Sequence, residues 1–167
     1  MIPSRTQDAA LTALRAFLRA VLPAGTEVVR GLDNRVPMPA SGDFVVMTPT
    51  QRKQMAQTVH SYNPAAPSAG IERSSTLTFQ LDIYGPTAAD NAQVVTTLLR
   101  DAYGVSHMAG SGFAPLYAED PMQMPLVAGE QQFIERWKVE CLLHANVEIT
   151  VPAEFADTLI TTLTEVP

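Results

Sequence analysis

The chain has 167 residues, of which 46% are hydrophobic and 17% charged, and its formal net charge is −6. These values are typical of a globular protein with one sizeable core, so we expect residues 1–167 to form a single domain. The acidic balance argues against electrostatic binding of DNA or RNA, which usually needs a basic face.

Redox and targeting signals are sparse in this sequence. Cys141 is the one cysteine, which excludes an internal disulfide framework and a metal site made of several cysteines. The first residues lack the apolar core of a signal peptide, and no run of about 18 apolar residues predicts a membrane-spanning helix. We therefore expect synthesis in the cytoplasm and no membrane partner.

The first predicted element is a helix over residues 6–22. Thr6 is placed to cap this helix, Asp8 lies in its first turn, and Pro23 follows its end. An apolar stripe at helical spacing consists of Leu11, Leu14, Leu18 and Val21. Such a stripe suits either a partner-binding helix or ordinary core packing, and we favour core packing.

Strands are predicted next, over residues 26–30 and 43–48, the second as a continuous apolar run typical of an interior strand. Residues 51–62 combine helical spacing with residue types that favour extended structure. We favour a strand there, because the following segment would pair with it as a long hairpin. The tip at residues 63–70 is rich in turn residues, and we expect it to be mobile.

A strand, a tight corner and a helix form the clearest local signal, over residues 76–100. Apolar residues alternate with polar ones and predict a half-buried strand: Leu77, Phe79, Leu81 and Ile83. Gly85 and Pro86 end this strand. Thr87, with Asp90 three residues later, is a variant of the capping box and predicts a helix that packs back on the sheet.

The second half of the chain combines a long connection with a long strand. Residues 104–129 are punctuated by glycine and proline, and only residues 114–117 look strand-like, so an interface or functional loop is expected. Residues 133–149 alternate, with an apolar face that includes Phe133, Trp137, Cys141 and Ile149. A straight strand of this length spans on the order of 55 Å at about 3.3 Å per residue, which predicts a bend, a bulge or a projection.

The last predicted elements are a helical turn over residues 152–157 and an edge strand over residues 159–166. The order of elements predicts an α+β fold. We expect a mostly antiparallel sheet with two main helices packed on one face and a long protruding β-hairpin.

No arrangement of residues predicts a catalytic, cofactor-binding or metal site. The histidines lie in separate elements and lack the spacing of metal ligands: His60, His107 and His144. Ser111 lies between glycines but not in a nucleophile elbow, and the Glu119–Asp120 pair lacks the other oxygen ligands of a calcium loop. Cys141 alternates onto the apolar face of its strand, whereas His144 points to the opposite face.

Four phrases carry a resemblance to a known family: residues 44–49 (FVVMTP), 80–87 (QLDIYGPT), 114–117 (APLY) and 132–139 (QFIERWKV). Their order and spacing resemble the neck and tail terminator-like proteins of tailed bacteriophages and prophages, over residues 43–166. The Tyr84-Gly85-Pro86 corner and the Arg136-Trp137 pair are the most telling of these motifs, which are structural and not catalytic.

This resemblance implies an α+β protomer that assembles into a ring, commonly of six subunits. Such a ring caps the tail tube, halts its polymerisation and joins the tail to the head-side connector. The implied location is the virion, after assembly in the bacterial host cytoplasm, with no enzyme activity and no cofactor. DNA passes through the lumen, and an acidic protein suits a lumen that must not hold phosphates.

Six polar or amphipathic residues near loops or on non-core faces are our candidates for contacts with other subunits or partners: Arg52, Lys53, Tyr62, Arg73, Tyr117 and Arg136. Exposed aromatic residues and arginines favour interfaces, although each of the six also fits a plain surface position. Two alternatives stay open at this point. One is another head–tail connector or a baseplate component, and the other is a small enzyme with a site in residues 104–129 that uses Cys141 or His144.

Overall fold

The computed structural model describes residues 1–32, 39, 42–63, 66–128 and 132–154. Within them, the helices are α1 (Gln7–Val21), α2 (Ala88–Arg100) and α3 (Ala102–Met108). The strands are β1 (Glu27–Arg30), β2 (Phe44–Gln54), β3 (Val59–Asn63), β4 (Ser68–Tyr84), β5 (Ala114–Ala118), β6 (Met122–Gln123), β7 (Leu126–Ala128), β8 (Gln132–Ile134) and β9 (Arg136–Pro152). The predicted α+β class is confirmed.

The main sheet of the described residues has seven strands, with β1, β2, β4, β9 and β5 side by side in that order. β1 runs parallel to β2, and the other pairings are antiparallel, as predicted. β4 and β9 form the spine of this sheet, because their ladder runs without a register shift from the Ser68–Pro152 pair to the Tyr84–Arg136 pair. β3 pairs with β4 beyond the end of β2, and β6 pairs with β9 beyond β5.

The hydrophobic core lies between one face of this sheet and the helices. The alternating residues of β4 and β9 point into it, and Phe79, Leu81 and Val139 are at most 1% exposed. From the other side, the apolar faces of α1 and α2 contribute Leu14, Phe17, Leu18, Val95 and Leu99. The predicted assignment of the α1 stripe to the core is therefore confirmed, as is the packing of the two main helices on one face.

The helix caps agree only in part with the sequence predictions. The Thr6 hydroxyl accepts a hydrogen bond from the Ala9 amide at 3.2 Å, as expected of an N-cap. The predicted capping box at Thr87 is wrong, because Thr87 has ψ of 15° and its side chain caps no backbone amide. The Asp43 carboxylate accepts the Thr87 amide hydrogen instead, at 3.2 Å, and this partner lies 44 residues away in the sequence.

Residues 104–129 are more regular than predicted. α3 begins just before this stretch, where the Asp101 carboxylate accepts the Tyr103 amide hydrogen at 2.8 Å, and extends to Met108. Gly104, which suggested an irregular segment, is a packing requirement, since a Cβ there would lie 2.6 Å from the Leu98 carbonyl oxygen of α2. The strands β5, β6 and β7 follow, so this part of the chain is ordered mainly by pairing with β9 and β8.

The predicted strand over residues 133–149 is divided into β8 and β9 at Glu135. Phe133 pairs within β7–β8 and its side chain is 74% exposed, so its assignment to the core face is wrong. β9 continues to Pro152, which replaces the start of the predicted helical turn. The rest of that turn from residue 155, the strand over residues 159–166 and residues 64 and 65 of the tip lie outside the described residues.

Residues 51–62 contain strand, as predicted, because β2 extends to Gln54 and β3 begins at Val59. Both pair with β4, which confirms the long hairpin. None of the described helices is long and apolar enough to cross a membrane.

Candidate subunit interface

The sheet continues well beyond the part that the helices cover. We call this region the hairpin extension: residues 51–54 of β2, all of β3, residues 68–74 of β4 and residues 146–152 of β9. Every residue of β3 is exposed, and the last residues of β2 and β9 are largely exposed as well. The backbone ladder holds these strands together, because β4 is paired on both sides here, with β3 and with β9.

The structure brings four of the six predicted contact residues together on the hairpin extension. Arg52 lies opposite Leu77 of β4, and Tyr62 lies opposite Ala69 of β4. Arg73 lies in β4 between Ala69 and Leu77, four positions from each, so it points to the same face as both. Residues directly opposite in an antiparallel pair share a face, so Arg52, Tyr62 and Arg73 project from the face that is continuous with the core. Lys53 lies opposite Thr76 and projects from the other face.

A groove of about 390 Å³ lies on the core-side face of the extension. Its floor is apolar and includes Ile71, Val147 and Ile149, and Arg52 and Arg73 line it as well. Among the described residues, neither guanidinium group has a carboxylate partner. We call this surface the basic groove.

Sequence reasoning missed the apolar floor of the basic groove. Ile149 is 39% exposed although it alternates with the buried residues of β9. The signal was available in the length of the alternating run, which exceeds what two helices can cover. The N-terminal segment runs along this end of β9, where the Ser4 amide donates to the Glu148 carbonyl oxygen and the Ser4 hydroxyl accepts from the Glu148 amide, each at 2.9 Å.

Tyr117 lies on the opposite edge of the sheet, in β5, and its side chain is 49% exposed. Arg100 of α2 holds it in place, with the guanidinium carbon 4.6 Å from the ring centroid and Nη2 donating to the phenol oxygen at 3.1 Å. The same guanidinium donates to the Ala118 carbonyl oxygen at 2.6 Å and to Asp120 at 2.8 Å. Of the acidic pair in the sequence, Asp120 is therefore tied to this edge through its carboxylate.

Further exposed apolar side chains lie along the same edge of β9. We define the β5–β6 edge by Leu116, Tyr117, Glu119, Met122 and Met124, all of which are exposed. β5 and β6 are edge strands of the main sheet, since their described pairing is with β9 alone. Pro115 and a register shift after it fit an edge position, where no partner strand needs the missing amide hydrogen.

Arg136 lies at the other end of the β4–β9 ladder, where its contacts are with its own chain. Its Nε and Nη2 both donate to Oδ1 of Asp82, at 3.0 and 2.8 Å, and the two side chains are 22% and 8% exposed. Burial lowers the pKa of Arg136, but the hydrogen bond and charge of Asp82 more than offset this, so the pKa is raised. Gln80 adds an amide hydrogen bond to each carboxylate oxygen of Asp82.

The corner after β4 is held by this ion pair. The Tyr84 ring stacks on Phe44 with centroids 4.6 Å apart, and the Arg136 guanidinium lies 5.9 Å from the Tyr84 centroid. Burial raises the pKa of Tyr84, with Arg136 opposing and Asp82 adding to the shift. Gly85 has φ of 112°, and a Cβ there would collide with the Asp43 carboxylate. The motif that carried the resemblance is therefore a structural corner.

The groups proposed for an enzyme are unsuited to nucleophilic chemistry. Cys141 is fully buried, and burial raises the pKa of its thiol to about 12. His144 projects from the opposite face and bonds the Ser74 hydroxyl at 2.8 Å, but in the described part of the chain the imidazole has no second partner to orient it. Ser111 closes the turn after α3 by donating to the Met108 carbonyl oxygen at 2.6 Å.

The described ranges also contain no group of three or more histidine, cysteine, aspartate or glutamate side chains that would hold a metal ion. The described residues present two exposed surfaces, the hairpin extension at one end of the β4–β9 spine and the β5–β6 edge along the side of β9.

Comparison with solved structures shows the same fold in a terminator. The chain is similar to the sheath/tube terminator of an extracellular contractile injection system, PVC, in its extended state, with a TM-score of 0.59 and 11% sequence identity. The match covers 98% of this chain and 65% of that chain, so this chain spans about two thirds of its length. Curated protein sequences gave no significant match.

The family is shown by the sequence. A family model described as phage neck terminator protein matches residues 8–166, which is nearly the whole chain. The chain belongs to this family of phage neck terminator proteins, and the predicted resemblance is confirmed. Membership of this family makes it a structural protein of the phage neck with a terminator role.

Proposed function

We propose that six copies of this chain form a closed ring at the top of the phage tail. The ring ends the tail tube and joins it to the head-side connector, and DNA passes through its lumen without specific binding. Assembly takes place in the cytoplasm of the bacterial host. The domain unit of this ring is the whole chain, residues 1–167.

The observation that carries this proposal is the hairpin extension. A chain that only had to fold would gain little from strands whose side chains are exposed on both faces. The extension lies at one end of the β4–β9 spine and the β5–β6 edge lies along the side of β9, so head-to-tail contacts between copies would use two different surfaces. Contacts of this kind close into a ring when the rotation between subunits allows it.

The charge of the chain also supports the proposed lumen. The net charge is −6, and a lumen formed by such a protein repels the phosphate backbone instead of holding it. The six predicted contact residues keep this role as a proposal: Arg52 and Arg73 line the basic groove, Tyr62 lies on the same face of the hairpin extension, Lys53 lies on the other face, Tyr117 lies on the β5–β6 edge and Arg136 lies at the corner.

The proposal is tested on the protein and on tails. Light scattering after size exclusion, together with electron microscopy, should show a ring, either for the purified chain alone or after addition of purified tail tubes. Phage produced without the chain should carry tails of uncontrolled length that fail to join heads. Tails of normal length that join heads normally in the absence of the chain would contradict the terminator role. A ring found elsewhere in the virion would favour the connector or baseplate alternative.

A further inference from the structure

We infer that the basic groove of one subunit takes the β5–β6 edge of the next copy of this chain. This inference rests on the proposed ring and adds the surfaces that meet in it. The occupant is a second copy, because the two surfaces on one molecule are complementary to each other in both apolar character and charge.

The basic groove has an apolar floor that is partly exposed to solvent. Val147 is the last residue of β9 that belongs to the core, and Ile71 and Ile149 continue the apolar face beyond it, where Ile149 is 39% exposed. Arg52 and Arg73 stand beside this floor without a carboxylate partner in the described part of the chain, although the chain as a whole is acidic. The missing partner is therefore a surface with exposed apolar side chains and at least one free carboxylate.

The β5–β6 edge has these properties. Leu116, Met122 and Met124 are 45%, 61% and 41% exposed. Methionine adapts its shape to a partner surface, which suits contacts that form only on assembly. Glu119 is exposed beside them, and none of the described basic residues forms an ion pair with it. Its neighbour Asp120 is already paired with Arg100, so Glu119 is the carboxylate that is available to a guanidinium of the next subunit.

The topology places the two surfaces where a ring needs them. The groove lies on the core-side face at one end of the β4–β9 spine, whereas β5 and β6 border the side of β9 towards its other end. Each subunit therefore presents its groove and its β5–β6 edge as two separate surfaces that do not share a residue. A contact between unlike surfaces repeats around the ring and leaves no surface unused, whereas a contact between like surfaces would stop at a dimer.

Charge reversal tests the groove. The double variant Arg52→Glu with Arg73→Glu should place carboxylates against Glu119 and raise the concentration needed for ring formation by at least about tenfold. Arg15→Glu with Arg19→Glu, on the exposed face of α1, is the matched control with the same change of charge and should form rings as the wild type does. Adding Glu119→Arg to the groove variant should restore much of the lost assembly.

Disulfide formation tests the pairing of unlike surfaces. The double variant Arg73→Cys with Glu119→Cys should form a ladder of covalent oligomers on mild oxidation, and an equal mixture of the two single variants should form dimers. Each single variant alone should stay monomeric under denaturing electrophoresis. Cys141 is buried and needs no replacement.

The outcomes separate this inference from the proposed ring. Intact rings from the groove variant, or covalent dimers from a single-cysteine variant, would overturn the inference and leave the ring standing. Failure of the wild-type chain to form any ring, alone or on tail tubes, would overturn both. All substituted residues are exposed on the monomer, and circular dichroism of each variant checks that it is folded.

Discussion

The helix-covered part of the sheet and the hairpin extension are built from the same two strands but differ in what packs on them. In the covered part, Phe79 and Leu81 of β4 are 1% and 0% exposed. In the extension, Arg73 of β4 and Ile149 of β9 are exposed, although the ladder continues with the same register. The difference teaches that strand pairing needs only backbone hydrogen bonds, whereas burial needs a second layer. The covered part of the spine stabilises the subunit, and the extension is the part that we propose to bind another subunit.

The largest expected effect is on the covered part. Phe79→Ala should lower the free energy of unfolding of the monomer by about 3–5 kcal/mol, because it leaves a cavity in a close-packed core. Tyr62→Ala removes a ring of similar size from the extension, where it is 65% exposed, and should cost less than about 1 kcal/mol. Urea unfolding at concentrations below ring formation measures both. Equal losses of unfolding free energy for the two variants would contradict the distinction between the covered part and the extension.

A smaller loss of stability is expected at the corner after β4, where an ion pair between side chains, and not a helix, packs on the sheet. Asp82→Ala leaves Arg136 without its partner in a mostly buried site and should cost about 2–3 kcal/mol. Asp120→Ala breaks an ion pair whose carboxylate is 86% exposed, and should cost less than about 1 kcal/mol. Thermal or urea unfolding of the two variants gives the comparison. A larger loss for Asp120→Ala would show that the corner is not held by its ion pair.

The sequence predicts what depends on near neighbours in the chain. The α1 helix, the β4 strand and the α2 helix follow from apolar spacing and from turn residues such as Pro23 and Gly85. The length of the alternating run over residues 133–149 predicts a bend, a bulge or a projection, and the structure has both a break at Glu135 and an extension beyond the core. These elements agree with the structure because their signals lie within about one helix turn or one strand of each other.

The sequence does not predict what depends on contacts between distant residues. Arg136 looks like a surface arginine until Asp82, 54 residues away, is placed beside it by the β4–β9 register. The capping of Thr87 by Asp43 and the need for Gly104 between α2 and α3 have the same origin. For the candidate interface, residue types indicated Arg52, Tyr62 and Arg73, but only strand pairing shows that they share one face.

The smallest expected effect is a difference in the pH dependence of stability between the helix-covered part of the sheet and the hairpin extension. Burial raises the pKa of Cys141 from 9.0 to about 12, so between these values the unfolded chain releases a proton that the native chain keeps. The unfolded state then binds fewer protons, and stability falls as pH rises. We expect a loss of about 1 kcal/mol between pH 9 and pH 10 in the wild type relative to Cys141→Ala.

A matched thiol in the extension should behave differently. Val59 is 61% exposed, so Val59→Cys in the Cys141→Ala background should react readily with a thiol reagent in the native state and add no pH dependence to folding. Cys141 should react only after unfolding. Urea unfolding across this pH range and the rate of thiol labelling measure the two effects. Rapid labelling of Cys141 in the native state would mean that the covered part of the spine opens to solvent. The covered part and the extension would then differ in how often they open, and not in what packs on them.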